Sequence, residues 1–141
     1  MDLPIDIRPK YQDDENFVYA TWLNSYRYTS LFCKNLRNSI FFPFHRKIIG
    51  YIFDKKVTRC NIACLADDHK VILGYCVFEV GESPIIHYVY VKEGFRKMGI
   101  ATKLIESMGI DLKKTSYTHQ TQCLTPLAQK ISEMTYNPYK L

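Results

Sequence analysis

Arg96, Lys97, Gly99 and Ala101 stand within one stretch, "VYVKEGFRKMGIATKLI" (residues 89–105). It begins with the two-residue period of a strand and ends with the period of a helix. A strand that turns straight into a helix leaves several backbone N–H groups unpaired at the helix's positive end. Such an end suits an anion of the pyrophosphate kind. Gly99 lets ligand oxygens come close to the backbone, Ala101 is too small to obstruct them, and Arg96 and Lys97 add charge at the rim. The stretch contains neither G-x-x-x-x-G-K-[ST] nor G-x-G-x-x-G, which excludes the Walker loop and the dinucleotide fingerprint.

Two further sets of residues could do chemistry. His87 lies in the apolar and aromatic run "PIIHYVYVK", where alternation places it on the face of Ile85, Val89 and Val91. A histidine titrates near neutral pH and can take a proton from an ammonium group. Equally, it can be a strand histidine with one satisfied hydrogen bond. The run "SYTHQTQCL" puts Tyr117, His119 and Thr121 on one face and Thr118, Gln120 and Gln122 on the other. Both faces are unusually polar for a strand inside a sheet, so these side chains need partners or a ligand.

The elements that must position these residues follow from the pattern. "LPIDIRP" alternates Leu3, Ile5 and Ile7 and stops at Pro9, a short strand. A first helix follows, with Asp13 or Asp14 as N-cap and Phe17, Trp22 or Ala20, Tyr26 and Tyr28 near helical spacing. Pro43 marks the start of a second helix, whose apolar face holds Phe44, Ile48, Ile49, Ile52 and Phe53. Three β-rich runs beginning at Val57, broken by "DDHK" and "GESP", read as an antiparallel meander. After the Arg96 stretch comes a helix carrying Ile100, Leu104, Ile105 and Met108, then the strand "SYTHQTQCL". A final helix, "TPLAQKISEM", is capped by Thr125 with Pro126 at its first position. "HRK" at 45 to 47 and the lysines at 55 and 56 read as solvated charge.

The chain has 141 residues, 47% of them hydrophobic, which suits a single domain over residues 1–141 with a sizeable core. Its net charge of +5 is modest, and no window holds the like-charge run of a nucleic-acid arm or membrane patch. The five cysteines form no C-x-x-C pair and no metal-spaced cluster, so they read as reduced core thiols. With no leader and no 18-residue apolar run, the expected location is the cytoplasm, with no membrane partner.

The motif R-x-x-G-x-A, read as Arg96, Gly99 and Ala101 between "IIHYVYV" and "TKLIESM", resembles the acyl-CoA pyrophosphate loop of the GNAT acetyltransferase superfamily. The flanking order of elements resembles that family over most of the chain. The resemblance implies an α/β fold with a mixed, mostly antiparallel sheet flanked by helices. Its donor would be acetyl-CoA, with no metal. The backbone of Arg96, Lys97, Met98, Gly99, Ile100 and Ala101 would hold the pyrophosphate, and Val89 and Val91 would guide the pantetheine arm.

For the chemistry, the resemblance implies direct attack by an amine on the thioester in a ternary complex. His87 matches the position of a catalytic histidine in arylalkylamine N-acetyltransferases, while the second histidine of that pair falls on Ile85. The family's glutamates on this strand have no match, since Glu79 and Glu82 lie on the preceding strand and its turn. His119 is an alternative base or an acceptor contact. The family's helix tyrosine, a general acid, falls near Ser132, which leaves Tyr136 or Tyr139 to reach the same space, with Tyr136 preferred. Most members continue with two more strands, so the sheet is either shortened here or completed by a second copy in a homodimer.

The ending "YNPYKL" resembles that of compact phage-encoded members, which would put the protein in a host cytoplasm. Two rivals go with this reading: a nucleic-acid modifier of the same fold, and a non-catalytic CoA-binding protein. The acceptor stays open among small amines, antibiotics, peptide N-termini, lysines and nucleobases.

Overall fold

The computed structural model describes residues 3–141, apart from the side chains of Leu31 and Phe32. In chain order the elements are β1 (Ile5–Pro9), α1 (Glu15–Thr29), α2 (Leu31–Lys34), α3 (Asn38–Asp54), β2 (Thr58–Leu65) and β3 (Ile72–Glu79). Then follow β4 (Ile85–Val91), α4 (Ile100–Ser107), β5 (Ser116–Tyr117), α5 (Thr125–Lys130) and β6 (Thr135–Tyr136). The six strands form one sheet in chain order. β1 to β4 are antiparallel, while β5 and β6 run parallel to their neighbours. The architecture is α/β with a mixed, mostly antiparallel sheet.

Helices cover both faces, so the central strands are buried on both sides. On one face Val18, Trp22, Leu23 and Tyr26 of α1 and Phe41, Ile49 and Ile52 of α3 pack on Ile62, Tyr75, Val77 and Tyr88. On the other, Ile100 and Leu104 of α4 pack on Leu73, Cys76, Phe78, Ile86, Val89 and Val91. Gly74 on β3 lets this sheet close up: a Cβ there would lie 2.5 Å from the carbonyl oxygen of Tyr90 on β4. Any larger residue must push the strands apart, at about 1–3 kcal/mol for overpacking of this kind.

β1 is tied to the start of α1 by a buried ion pair. Arg8 Nη1 lies 2.7 Å from Asp14 Oδ2 and Arg8 Nη2 lies 3.1 Å from Asp14 Oδ1. Asp14 is the residue before α1, but its carboxylate caps nothing there; it accepts instead from Arg8 and from the Tyr11 amide at 2.7 Å. Burial pushes the Asp14 carboxyl up, but the Arg8 and Tyr11 hydrogen bonds outweigh it and hold the group below its ordinary value.

Several elements differ from the sequence reading. α3 begins at Asn38, so Pro43 lies inside the helix, where it has no N–H to donate to the carbonyl four residues earlier. α4 stops at Ser107, and Leu112–Lys114 form a separate 3-10 turn. α5 ends at Lys130 and its cap position is Leu124, with no side-chain cap bond. Of "SYTHQTQCL" only Ser116 and Tyr117 are strand. Beyond them the Leu124 amide donates to Thr121 Oγ1 (3.1 Å) and the Thr125 amide to the Thr121 carbonyl (3.0 Å), curling the chain into α5.

The sheet is shortened at its C-terminal side, ending in the two-residue β6. The Thr135 amide donates to the Thr115 carbonyl (3.3 Å) and the Asn137 amide to the Tyr117 carbonyl (2.9 Å). All five cysteines are free, and four of them are buried. Among the described residues no helix is long and apolar enough to cross a membrane.

Candidate active site

The site begins with an irregularity in β4. Val77 faces Tyr88 and Phe78 faces Ile86, which leaves His87 as the extra residue of a bulge. Two consecutive side chains therefore lean to the α1/α3 side. Tyr88 stacks on Trp22, with ring centroids 4.9 Å apart, and His87 reaches Glu79, which it shares with Lys55 at the end of α3. His87 thus does not share a face with Val89 and Val91, which pack toward α4. The bulge shifts the alternation that the sequence reading assumed to be unbroken.

The bulge also limits pairing on the other edge. β4 meets β5 only at Ile85 with Ser116 and Ile86 with Tyr117, followed by one bond from the Thr118 amide to the Ile86 carbonyl (3.2 Å). Past that point the two strands part. The Lys92 amide bonds back to Leu73 on β3 at 2.8 Å, so by alternation Val89 and Val91 turn their backbone groups toward the gap. The gap is lined by Tyr88 to Val91 on one wall and Thr121 to Cys123 on the other.

At one end of the gap lies the loop before α4. Lys97 (φ 64°) and Gly99 (φ 80°) both adopt the left-handed region, which turns successive amides toward one hollow. A Cβ on Gly99 would meet nothing within 4 Å, so glycine serves the backbone angle there and relieves no clash. No carbonyl or side chain among the described residues accepts from the amides of Arg96 to Ala101, and α4 has no side-chain N-cap. The hollow, about 170 Å³, is lined by Phe95, Arg96, Lys97, Gly99, Ala101 and Thr102. Met98 is exposed at its edge and Ile100 is buried beneath it. Donors, shape and charge fit a diphosphate.

At the other end the gap opens into a hollow of about 420 Å³ lined by Tyr26, Thr29, Gln120, Thr121, Gln122 and Tyr136. Tyr26 and Tyr136 also border a more apolar cavity of about 290 Å³ that includes Cys33, His45, His119 and Leu141. Tyr136 sits on β6 with its ring against Tyr117, 5.4 Å between centroids. Burial raises its hydroxyl above the ordinary tyrosine value, helped by Tyr117. Burial likewise raises the Tyr26 hydroxyl to about 12. Ser132 is exposed and lies past the end of α5.

Three of the four histidines, His45, His87 and His119, are linked. His87 is fully buried, with Nε2 2.6 Å from Glu79 Oε2 and Nδ1 2.9 Å from Thr118 Oγ1. Thr118 Oγ1 is also 2.8 Å from His119 Nδ1, and His119 Nε2 is 3.0 Å from His45 Nε2. His119 is packed against Trp22, Tyr26 and Tyr88. Burial lowers all three imidazoles, His45 to about 4 and His119 well below its ordinary value, while the bond to Glu79 partly offsets the fall for His87. In each case burial favours the neutral ring.

The structure brings His119 and Tyr136 to one cavity but keeps His87 behind it, lining none of these hollows. Two members of the linked set were not expected. His45, read as solvated charge, is buried, and its spacing of four from both Phe41 and Ile49 was the available signal. Glu79 meets His87 across the β3–β4 pair, a contact that the bulge decides.

Comparison with known proteins gives the following. The model of the acetyltransferase (GNAT) family matches residues 11–119. Among solved structures, YycN of Bacillus subtilis, provisionally named an acetyltransferase, superposes with a TM-score of 0.62 at 12% identity, covering 92% of this chain and 88% of that one. A protein of Clostridium difficile 630 described as a possible acetyltransferase gives 0.59 at 16%, covering 99% and 95%. The ribosomal-protein-alanine N-acetyltransferase of Brucella melitensis biovar Abortus 2308 gives 0.51 at 15%, covering 94% and 77%. At such identities the likeness is one of fold. No curated protein matches the sequence.

Proposed function

Because the chain belongs to the acetyltransferase (GNAT) family, we propose that it transfers an acetyl group from acetyl-CoA to an amine, by direct attack with both substrates bound. One observation carries this reading: a row of hollows that share lining residues leads from the unengaged amides of Arg96 to Ala101, past the parting of β4 and β5 where the Arg96 side chain bridges the walls, to a cavity bordered by Tyr136 and His119.

In this reading the loop amides hold the pyrophosphate, with Arg96 and Lys97 beside it. The backbone of Val89 and Val91 guides the pantetheine arm through the gap where β4 and β5 have parted. This leads the thioester toward the hollow in front of Tyr136, while the amine enters from the side of α1 and α3. The amine nitrogen forms the new N–C bond, the C–S bond breaks, and Tyr136 supplies a proton to the departing thiolate. The amine's proton is taken on the histidine side of the cavity. His87 has both ring nitrogens engaged and no access to the cleft, so it acts behind the rings that face the acceptor.

Calorimetric titration and thermal shift with acetyl-CoA, followed by thiol release over a panel of primary amines, test the proposal. Stabilisation by acetyl-CoA and amine-dependent thiol release are expected. Failure of both acetyl-CoA and CoA to stabilise the protein would overturn it, and stabilisation without turnover on any amine would favour a binding protein.

A further inference from the structure

Five side chains on four segments of the fold make one unbroken hydrogen-bonded path: His45 on α3, His119 and Thr118 after β5, His87 on β4 and Glu79 on β3. Its polarity follows from chemistry. Glu79 is ion-paired with Lys55 Nζ at 3.2 Å, so its oxygens only accept. His87 Nε2–H must then donate to Glu79, and in the neutral ring that burial favours this leaves Nδ1 as an acceptor for the Thr118 hydroxyl. The Thr118 oxygen accepts from His119 Nδ1–H, and His119 Nε2 accepts from His45 Nε2–H. Every donor points toward Glu79, a tautomer set fixed by the network. One basic lone pair is left over at the far end, on His45 Nδ1, which makes no hydrogen bond among the described residues and belongs to a ring lining the apolar cavity.

A lone buried imidazole would be a poor base for an ammonium ion, because accepting the proton creates a buried cation. The path removes that obstacle. A proton arriving on His45 Nδ1 releases Nε2–H to His119, which releases Nδ1–H to Thr118, which passes its own proton to His87 Nδ1, which gives Nε2–H to Glu79. Four protons each cross one hydrogen bond, and the positive charge is spent neutralising the Glu79 carboxylate. The reverse sequence returns the proton through His45.

We propose that His45, His119, Thr118, His87 and Glu79 form a reversible proton store for acetyl transfer, filled from the acceptor's ammonium at His45 Nδ1 and emptied back through His45 to reprotonate Tyr136 once it has given its proton to the departing thiolate. This rests on the acetyl-transfer reading above. The net reaction balances: the amine gives up two protons, one ending on the thiol by way of the store and Tyr136 and the other in solvent. The charged groups facing the path are Glu79 and Lys55 at its far end. Around His45 and His119 stand the rings of Tyr26, Phe41, Trp22 and Tyr88, and the titratable groups across the cavity are Cys33, Tyr136 and Tyr139, with Leu141 at its rim.

The test has two arms. Imidazole nitrogen NMR of the protein alone at pH 7 should find three neutral rings, with the proton on Nε2 of His45, Nδ1 of His119 and Nε2 of His87; a charged or mixed-tautomer ring in the path overturns the store. In the second arm, thiol release from acetyl-CoA with a panel of primary amines, 2-phenylethylamine first, is measured against pH. Thr118→Val should lower kcat by about 10²-fold with KM unchanged, as general-base losses do, and Thr118→Ser should restore it. Glu79→Gln, remote from the cavity, should lower kcat as far, and the double variant no further. The deficit should narrow at alkaline pH, where the amine arrives uncharged. Acetyl-CoA binding and turnover with Thr118→Val equal to wild type overturns the store alone. Absence of acetyl-CoA binding, or binding without turnover, overturns the transfer reading and the store with it.

Discussion

Arg96 Nη1 lies 3.3 Å from Gln122 Oε1, across the gap that separates β4 from the segment after β5, while Arg96 Nε donates to the Val91 carbonyl at 3.0 Å. One side chain thus ties both walls of the cleft and occupies a carbonyl that a pantetheine arm would pass. A guanidinium this exposed can exchange these neutral acceptors for a phosphate, gaining a charge-assisted bond. Arg96→Gln should weaken acetyl-CoA binding by about ten-fold at low ionic strength, and the deficit should shrink as salt screens the charge. Titration calorimetry at two salt concentrations checks this; equal affinity in both would count against a phosphate contact.

Gly99 offers a second handle on the same loop. Its φ of 80° is costly for an L residue, though a methyl group there meets nothing. Gly99→Ala should therefore cost roughly 1–2 kcal/mol. That cost should appear as about a ten-fold rise in the acetyl-CoA Kd if the loop relaxes, or as a lower Tm if it does not. Unchanged Kd and Tm would mean that the amide geometry is not held by this angle.

Partial burial, helped by Tyr117, moves the Tyr136 hydroxyl above its ordinary value, although the residue is 38% exposed. A donor must carry its proton, so its contribution is present at neutral pH and fades only as pH climbs past the ordinary tyrosine value of about 10. Tyr136→Phe should reduce kcat by about 10²-fold with little change in KM, and the alkaline limb of the pH profile should disappear. A variant with wild-type kcat would remove Tyr136 from the reaction.

Acid should destabilise the fold through its buried imidazoles. The unfolded chain binds protons at His45 near pH 6.5, whereas the folded chain binds them only near pH 4. Stability is therefore full above about pH 6.5 and falls as pH drops toward 4. His119 and His87 act in the same direction. Urea midpoints measured across this window should decline for the wild type and less steeply for His45→Gln; parallel slopes would show that His45 does not stay neutral in the fold.

The strands β2 to β4 and the loop before α4 were readable because period-two runs, turn residues and the R-x-x-G-x-A spacing are all local signals. Three features were not local. The bulge at His87 depends on which β3 residue each β4 residue faces, so alternation alone put His87 on the wrong side. The shortness of β5 depends on β4 turning away, and the β-forming Thr and Gln residues after Tyr117 suggested more strand than the partner edge supports. His45 was hidden by the charged residues that follow it in "HRK" and by a helix start set at Pro43, five residues past the observed start. Once the helix begins at Asn38, His45 falls on the stripe of Phe41, Ile49 and Ile52.

Residues 89–101 build the donor end of the cleft, whereas Tyr136 and Leu141 near the end of the chain, beyond the 11–119 match, help to enclose the cavity on the acceptor side. In the acetyl-transfer reading, the grip on the nucleotide carrier lies within residues 89–101, whereas the wall that meets the amine is shared between Tyr26, His45 and His119 and the last residues of the chain. In that reading, a foreign tail grafted after β6 should change which amine is taken and leave the acetyl-CoA affinity as it was.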